Sequence, residues 1–393
     1  VSKPKVFEKP VGVKDYLPEA VERLRRLETD VLACMRRWGY REIMTPTLEF
    51  YDTVGVASAT TDRKLFKLLD RWGTTLVMRS DMTAPIARVV ASLLKDTPLP
   101  IRLAYHANVF RAIEEEAGRS AEFFQTGVEL VGDASAEADA EVIALAIASL
   151  QAAGVRKFRV ALGHMGFVQG LFEQMLPNLP EMQEVLKDML LRRDYVGYRD
   201  ALKRLSIPES VRQDLEGILR LRGNREVCDQ ALAMSHHEMA RAAIRHLLDV
   251  WDVLHAYGMI QHVIIDLTMT GDFNYYTGLT FEGYASDLGF PVLSGGRYDN
   301  LLGLFGRSAP ATGFSLKTNR IMEYLSSVHE MHCASSDEHI LITYTAQLRS
   351  EALRYATELR SHPNVVVTTA RIDVADAQEM FRGQSYDRII PFE

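Results

Sequence analysis

Two stretches decide the architecture: Arg102-Leu-Ala-Tyr-His-Ala-Asn-Val-Phe-Arg111 and Glu122-Phe-Phe-Gln-Thr-Gly-Val-Glu-Leu-Val131. Both alternate over about ten residues, the period of a β-strand, and a charged connection of about ten residues separates them. The reading is a long antiparallel pair with Arg111 at the mouth of the loop. On the second strand Phe123, Gln125, Gly127, Glu129 and Val131 share one face. An amide and a carboxyl therefore point the same way with a glycine between them.

Working outward toward the N-terminus, Pro18 opens a helix whose apolar positions Val21, Leu24, Leu27, Val31, Cys34, Met35 and Trp38 recur at spacings of three and four. Residues 64–80 alternate on either side of Asp70-Arg-Trp-Gly73, a hairpin with glycine at the turn. Asp81-Met-Thr-Ala-Pro85 then starts a helix capped by Ser80 or Asp81. Toward the C-terminus come a helix over 135–153, a strand over 157–163 and charged amphipathic helices from about 165 to 257. Strands return at 262–269 and 277–284, then at Ser294-Gly-Gly-Arg-Tyr-Asp299 and at 311–320 leading into a helix. These pieces make one sheet assembled from separated segments. The expected class is α+β: an antiparallel sheet with flanking helices, a helical insertion at about 170–257 in a core spanning 1–325, a linker at 326–337, and a small α/β domain at 338–393. That last domain reads strand, helix, strand, helix (374–383), strand.

The 393 residues suffice for two or three domains, and 47% apolar with 25% charged residues is a globular composition. A net charge of −7 supplies no global field for a polyanion. Cys34, Cys228 and Cys333 are too few and too scattered for a disulfide framework, and no long uncharged apolar run occurs, so a cytoplasmic protein is expected. No GxxxxGK[ST], GxGxxG or GxSxG motif is present. His329, His332, Cys333 and His339 have the residue types of a metal site but match no common zinc spacing, so no metal and no cofactor are expected.

Polar side chains in strand-like apolar surroundings need hydrogen-bond partners. Asp81, Thr83, Gln125, Glu129, Tyr275 and Tyr276 are such residues. They form either a satisfied internal network or a pocket for a small zwitterion, in which a carboxylate and an amide suit an ammonium group. Arg111 and Arg320 have the donor forks that clamp phosphate, although an arginine taken singly is more often a surface ion-pair partner.

Six segments in order carry a more specific likeness: Met44-Thr-Pro-Thr-Leu-Glu-Phe50, Arg79-Ser-Asp-Met-Thr-Ala-Pro85, Phe110-Arg111 through Gln125 to Glu129, Asn274-Tyr-Tyr-Thr-Gly-Leu-Thr-Phe-Glu282, Gly295-Gly-Arg-Tyr-Asp299 and Gly313 to Arg320. Together they resemble the class II core of histidyl-tRNA synthetase over residues 6 to about 325. The resemblance implies a class II aminoacyl-tRNA synthetase-like fold and a histidine pocket of Asp81, Thr83, Arg111, Gln125, Glu129, Tyr275, Tyr276 and Tyr298. It also implies a vestigial ATP site at Arg111 and Arg320. The chain departs from the synthetase pattern where it matters for chemistry. The charge-stabilising arginine before the paired tyrosines is Gly271, the loop after Arg111 carries Glu114, Glu115 and Glu116, and Lys317 replaces the glycine against which adenine packs. Losing a donor aimed at developing charge costs about a hundred- to a thousandfold in rate. With these departures the chain resembles the family of inactive synthetase paralogues that serve as regulatory subunits of short-form ATP phosphoribosyltransferase. That implies no catalytic residues of its own, a short-form catalytic subunit as partner, a homodimer within a hetero-octamer, histidine as ligand and a role in histidine biosynthesis. No membrane is implied, and tRNA binding is not expected because the C-terminal domain is truncated. The alternatives are an active or divergent histidyl-tRNA synthetase and a free-standing amino-acid-binding module.

Overall fold

The computed structural model describes residues 8–112, 120–271, 275–286, 288–328, 338–371 and 386–393. The chain falls into two compact units, Val1–Met331 and His332–Glu393.

In the larger unit, α1 (Pro18–Arg37) buries Leu24, Leu27, Val31, Cys34 and Met35 along one stripe, as its spacing requires, and carries proline in its first turn. Strands β1 (Arg41–Glu42), β2 (Leu48–Phe50), β3 (Lys67–Leu69) and β4 (Thr75–Met78) follow. The turn between β3 and β4 is held by the Asp70 carboxylate, which accepts from the N–H groups of Trp72 and Thr74, both at 2.8 Å. Helix α2 (Thr83–Ser92) begins two residues after Asp81, whose Oδ1 accepts from Ala84 N–H at 3.0 Å. The decisive pair is β5 (Ile101–Phe110) against β6 (Glu122–Val131), antiparallel throughout.

Helix α3 (Ala136–Ala152) is apolar almost all round and correspondingly buried. Strand β7 (Phe158–His164) leads into α4 (Met165–Met175), α5 (Pro180–Leu191), α6 (Tyr195–Arg204) and α7 (Glu209–Gly217). The short strand β8 (Arg222–Gly223), α8 (Glu226–Met234) and α9 (Glu238–Ala256) complete this segment. It is not purely helical, since β8 joins the main sheet beside β9 (Val263–Asp266). Strands β10 (Leu279–Ala285), β11 (Leu293–Arg297) and β12 (Ala311–Lys317) then lead into α10 (Thr318–Ser327).

Nine of these strands form one sheet in the order β1-β5-β6-β12-β11-β10-β7-β9-β8, and β2-β4-β3 form a separate small one. Antiparallel pairing dominates the large sheet; β1–β5 and β7–β9 are parallel. Both edges are two-residue strands, short enough to resist pairing with other chains. One face packs on α1, α3 and α9, where Val31, Ile143, Ile147, Leu162, Leu247 and Val250 are fully buried. The other face meets α2 around Ile86, Val90, Tyr105 and Leu302. Among the described residues no helix is long and apolar enough to cross a membrane.

The smaller unit has a parallel three-stranded sheet, β13 (Glu338–Tyr344) between β14 (Val365–Arg371) and β15 (Arg388–Phe392), with α11 (Arg349–Leu359) packed on it through Ala352 and Ala356. The expected linker at 326–337 starts too early, because Ser326 and Ser327 are the last turn of α10. Its remainder from 329, the helix expected at 374–383, and His329, His332 and Cys333 lie outside the described residues.

Candidate functional site

The floor of the site is the α2-facing side of the large sheet. Direct cross-strand pairing aligns Leu103, Glu129, Gly313, Gly296, Thr280 and Gly163 in one row. The next row holds Tyr105, Gly127, Ser315, Ser294, Glu282 and Ala161. Residues directly opposite one another share a face, so the glycines leave a hollow bordered by polar groups. Two of them are obligatory. A Cβ on Gly313 would overlap Glu129 Oε2, and one on Gly127 would sit 2.6 Å from the Tyr105 hydroxyl.

Glu129 is 2% exposed. Thr83 donates to its Oε1 at 2.7 Å and the Tyr298 hydroxyl donates to its Oε2. Burial nevertheless pushes its carboxyl up to about 8, the two hydroxyls and Asp81 being smaller influences. At neutral pH it is mostly a neutral acid that a bound cation would ionise. Above it Tyr275 stacks on Tyr298 with centroids 5.6 Å apart and meets Tyr276 edge-on at 5.0 Å. Burial raises the hydroxyls of Tyr105, Tyr275, Tyr276 and Tyr298, so all four stay protonated donors.

The hollow is a cavity of about 40 Å³, lined by Thr83, Tyr105, Glu129, Tyr275, Tyr276, Tyr298 and the floor segments 294–296 and 313–315. That is room for about three waters. This volume is smaller than an amino acid. Thr83, Glu129, Tyr275, Tyr276 and Tyr298 are thus brought together. Asp81, Arg111 and Gln125 do not line the cavity. Asp81 accepts from the Ser58 hydroxyl and caps α2. Arg111 donates through Nε to Ser80 O at 2.9 Å, with its guanidinium 5.3 Å from the centre of the Phe123 ring. Burial lowers its pKa, and Asp81 opposes that. Gln125 is 5% exposed, and its amide makes no side-chain hydrogen bond among the described residues. Arg320 lies away from the cavity: it donates to Pro291 O at 2.7 Å and stacks on Phe290 at 4.5 Å. Among the described residues no three metal-ligating side chains cluster.

Tyr105 escaped the sequence reading, and segment 294–296, read there as a strand and a motif, was not read as pocket floor. The parity of the first strand carried the signal for Tyr105, which stands opposite Gly127. Gly271 has a steric meaning that sequence did not show. A Cβ there would overlap the Tyr276 ring, with Thr280 Cγ2 3.1 Å away. The space a longer side chain would need is occupied by Tyr276. The run Glu114–Glu116 lies outside the described residues.

This sheet, with its tyrosine-lined, glycine-floored pocket, defines a class II synthetase-like protein, and a family model described as histidyl-tRNA synthetase matches residues 12–321. An ATP phosphoribosyltransferase regulatory subunit of Bacillus licheniformis is 44% identical over 95% of this chain and 94% of that protein. The protein of the same name in Bacillus subtilis is 45% identical over 92% of this chain and 91% of its own length. A crystal structure described as an ATP phosphoribosyltransferase regulatory subunit/histidyl-tRNA synthetase from Bacillus halodurans superposes with a TM-score of 0.91 at 41% identity, covering 99% of both chains. Histidyl-tRNA synthetase from Nostoc sp. shares the fold, with a TM-score of 0.80 at 20% identity, over 96% of this chain and 89% of that one. The chain belongs to the ATP phosphoribosyltransferase regulatory subunits, a branch of the histidyl-tRNA synthetase family.

Proposed function

We propose that this chain is a non-catalytic regulatory subunit that activates a short-form ATP phosphoribosyltransferase catalytic subunit and relays feedback inhibition by histidine in histidine biosynthesis. The observation that carries this reading is the pairing of Gly271 with Tyr276. The pocket keeps an acid, hydroxyls and aromatic walls suited to a histidine, while the ring of Tyr276 stands where a charge-stabilising side chain would have to reach. Such a site binds an amino acid without activating it. Glu129 ionises against the ligand's cation, and Gln125 stands four residues along the same face of β6.

Self-association has a surface of its own. On the small sheet Leu48, Phe50, Leu76, Met78 and Leu68 share one face, paired across β2, β4 and β3. Phe50 is 55% and Leu68 42% exposed. A contiguous apolar face of this kind is a protein-contact surface, and a second copy of the chain is the occupant proposed here.

The test is an ATP phosphoribosyltransferase assay of a short-form catalytic subunit with and without this chain, run beside histidine-dependent ATP–pyrophosphate exchange. Activity that depends on this chain and falls with added histidine is expected, with no exchange. Exchange at the rate of a synthetase would establish the enzyme reading instead. Catalytic subunits indifferent to the chain would remove the proposal.

A further inference from the structure

Behind the pocket floor the sheet carries a buried ionic network on its opposite face. Gly296 lies in the floor, with the Tyr276 ring packed where a Cβ would sit. The next residue, Arg297, therefore turns its side chain to the α3 side. There it is 5% exposed. It donates through Nε to Asp139 Oδ2 at 3.0 Å and through Nη1 and Nη2 to the carbonyls of Asp133 and Ser135 at 3.1 and 3.4 Å. Nη1 also meets Asp299 Oδ1 at 3.2 Å. The carbonyl of Arg297 accepts from Thr277 N–H at 2.8 Å. Arg297 thus stands one residue before Tyr298 and holds Thr277, the residue after Tyr276.

Asp139 is fully buried in the first turn of α3, and its Oδ2 is shared: His246 on α9 donates to the same oxygen through Nε2 at 2.8 Å. Oδ1 has no hydrogen-bond partner among the described residues. Burial opposes the charge on Asp139, but His246 and Arg297 outweigh it and hold the carboxyl below its ordinary range. Two donors on one oxygen, with the other oxygen unused, give the carboxylate a second arrangement. Released by His246, it can turn both oxygens to the Arg297 fork. His246 is the most exposed of the three side chains, 22% against 6% for Arg297 and 0% for Asp139.

We propose that Arg297, Asp139 and His246 are positioning residues for the tyrosine-lined pocket: they set Tyr276 and Tyr298 from the far side of the sheet, and a contact made at His246 on α9 alters how the pocket binds. For histidine as the ligand, this rests on the function proposed above. When His246 loses its bond, Arg297 follows the carboxylate, and its backbone carries Tyr298 and, through Thr277, Tyr276 with it. The cavity of about 40 Å³ is closed by those rings, so small ring shifts change its fit. Coupling of this kind is reciprocal, and a ligand in the pocket must alter the surroundings of His246 in turn.

The experiment uses the full chain with His246→Leu, which removes the donor, and His246→Gln, whose amide can still donate to Asp139. Calorimetry with histidine should show binding weakened about fivefold or more in His246→Leu and kept in His246→Gln. Tyrosine-ring NMR without any ligand should show the Tyr276 and Tyr298 signals displaced in His246→Leu and near their wild-type positions in His246→Gln. In the wild type, added histidine should shift the ring nitrogen signals of His246. A wild type that binds no histidine would remove the histidine function of the pocket, and the ligand-free tyrosine signals would then decide the coupling alone. Tyr276 and Tyr298 signals unmoved in His246→Leu would overturn the proposal. So would equal losses in both variants, which would make His246 a packing residue of α9.

Discussion

Replacing Glu129 by glutamine should change how stability depends on pH more than it changes stability itself at acid pH. The side chain keeps its shape and can still meet Thr83 and Tyr298. In the wild type the folded carboxyl titrates at about 8 against an ordinary 4.5. Between those values the folded chain holds a proton that the unfolded chain has released, so the contribution is fully present below 4.5 and is lost as pH rises to about 8. At about 1.4 kcal/mol per pH unit the loss reaches roughly 5 kcal/mol. His164 works in the opposite sense. Burial lowers its pKa from 6.5 to about 3, so its effect on stability rises with pH across that interval. The two slopes offset each other between 4.5 and 6.5 in the wild type. From pH 4.5 to 6.5 the glutamine variant should therefore gain roughly 3 kcal/mol relative to the wild type. The wild type alone should then fall from 6.5 to 8. Trp38, Trp72 and Trp251 all belong to the larger unit, so tryptophan fluorescence in a urea series at stepped pH follows that unit alone. Parallel curves for the two proteins would refute the buried-acid account.

Three further outcomes are expected. Gly271→Arg should not restore adenylation, because the new side chain collides with Tyr276; it should instead cost about 1–3 kcal/mol of stability, read by urea denaturation. Gly313→Ala, whose methyl would overlap Glu129 Oε2, should destabilise by a similar amount and abolish histidine binding by calorimetry, whereas an alanine at Gly306, with nothing within 4 Å, should leave binding intact. In the assembled complex, histidine and phosphoribosyl diphosphate should weaken each other's equilibrium binding by one common factor, about 5- to 150-fold, as linkage requires.

The long strands and their shared polar face were readable because β-parity is local: Gln125, Gly127 and Glu129 must point the same way once 122–131 is a strand. The apolar spacing of α1 and the Asp70 turn were legible for the same reason. What sequence could not show is which elements meet across long separations. The row from Glu129 through Gly313 and Gly296 to Thr280 joins residues 151 apart at its extremes, and only the strand order brings them together.

The sequence by itself determined the strands, their faces, the glycines and the replacement of an expected arginine by Gly271, because each is a property of a few consecutive residues. Tertiary structure decided what those residues do. It buried Glu129 until its carboxyl became a neutral acid, set Tyr276 in the space above Gly271, and turned Arg320 away to Pro291. Desolvation and charge balance depend on every neighbour in space, whatever its place in the chain, so they appear only when the sheet is assembled.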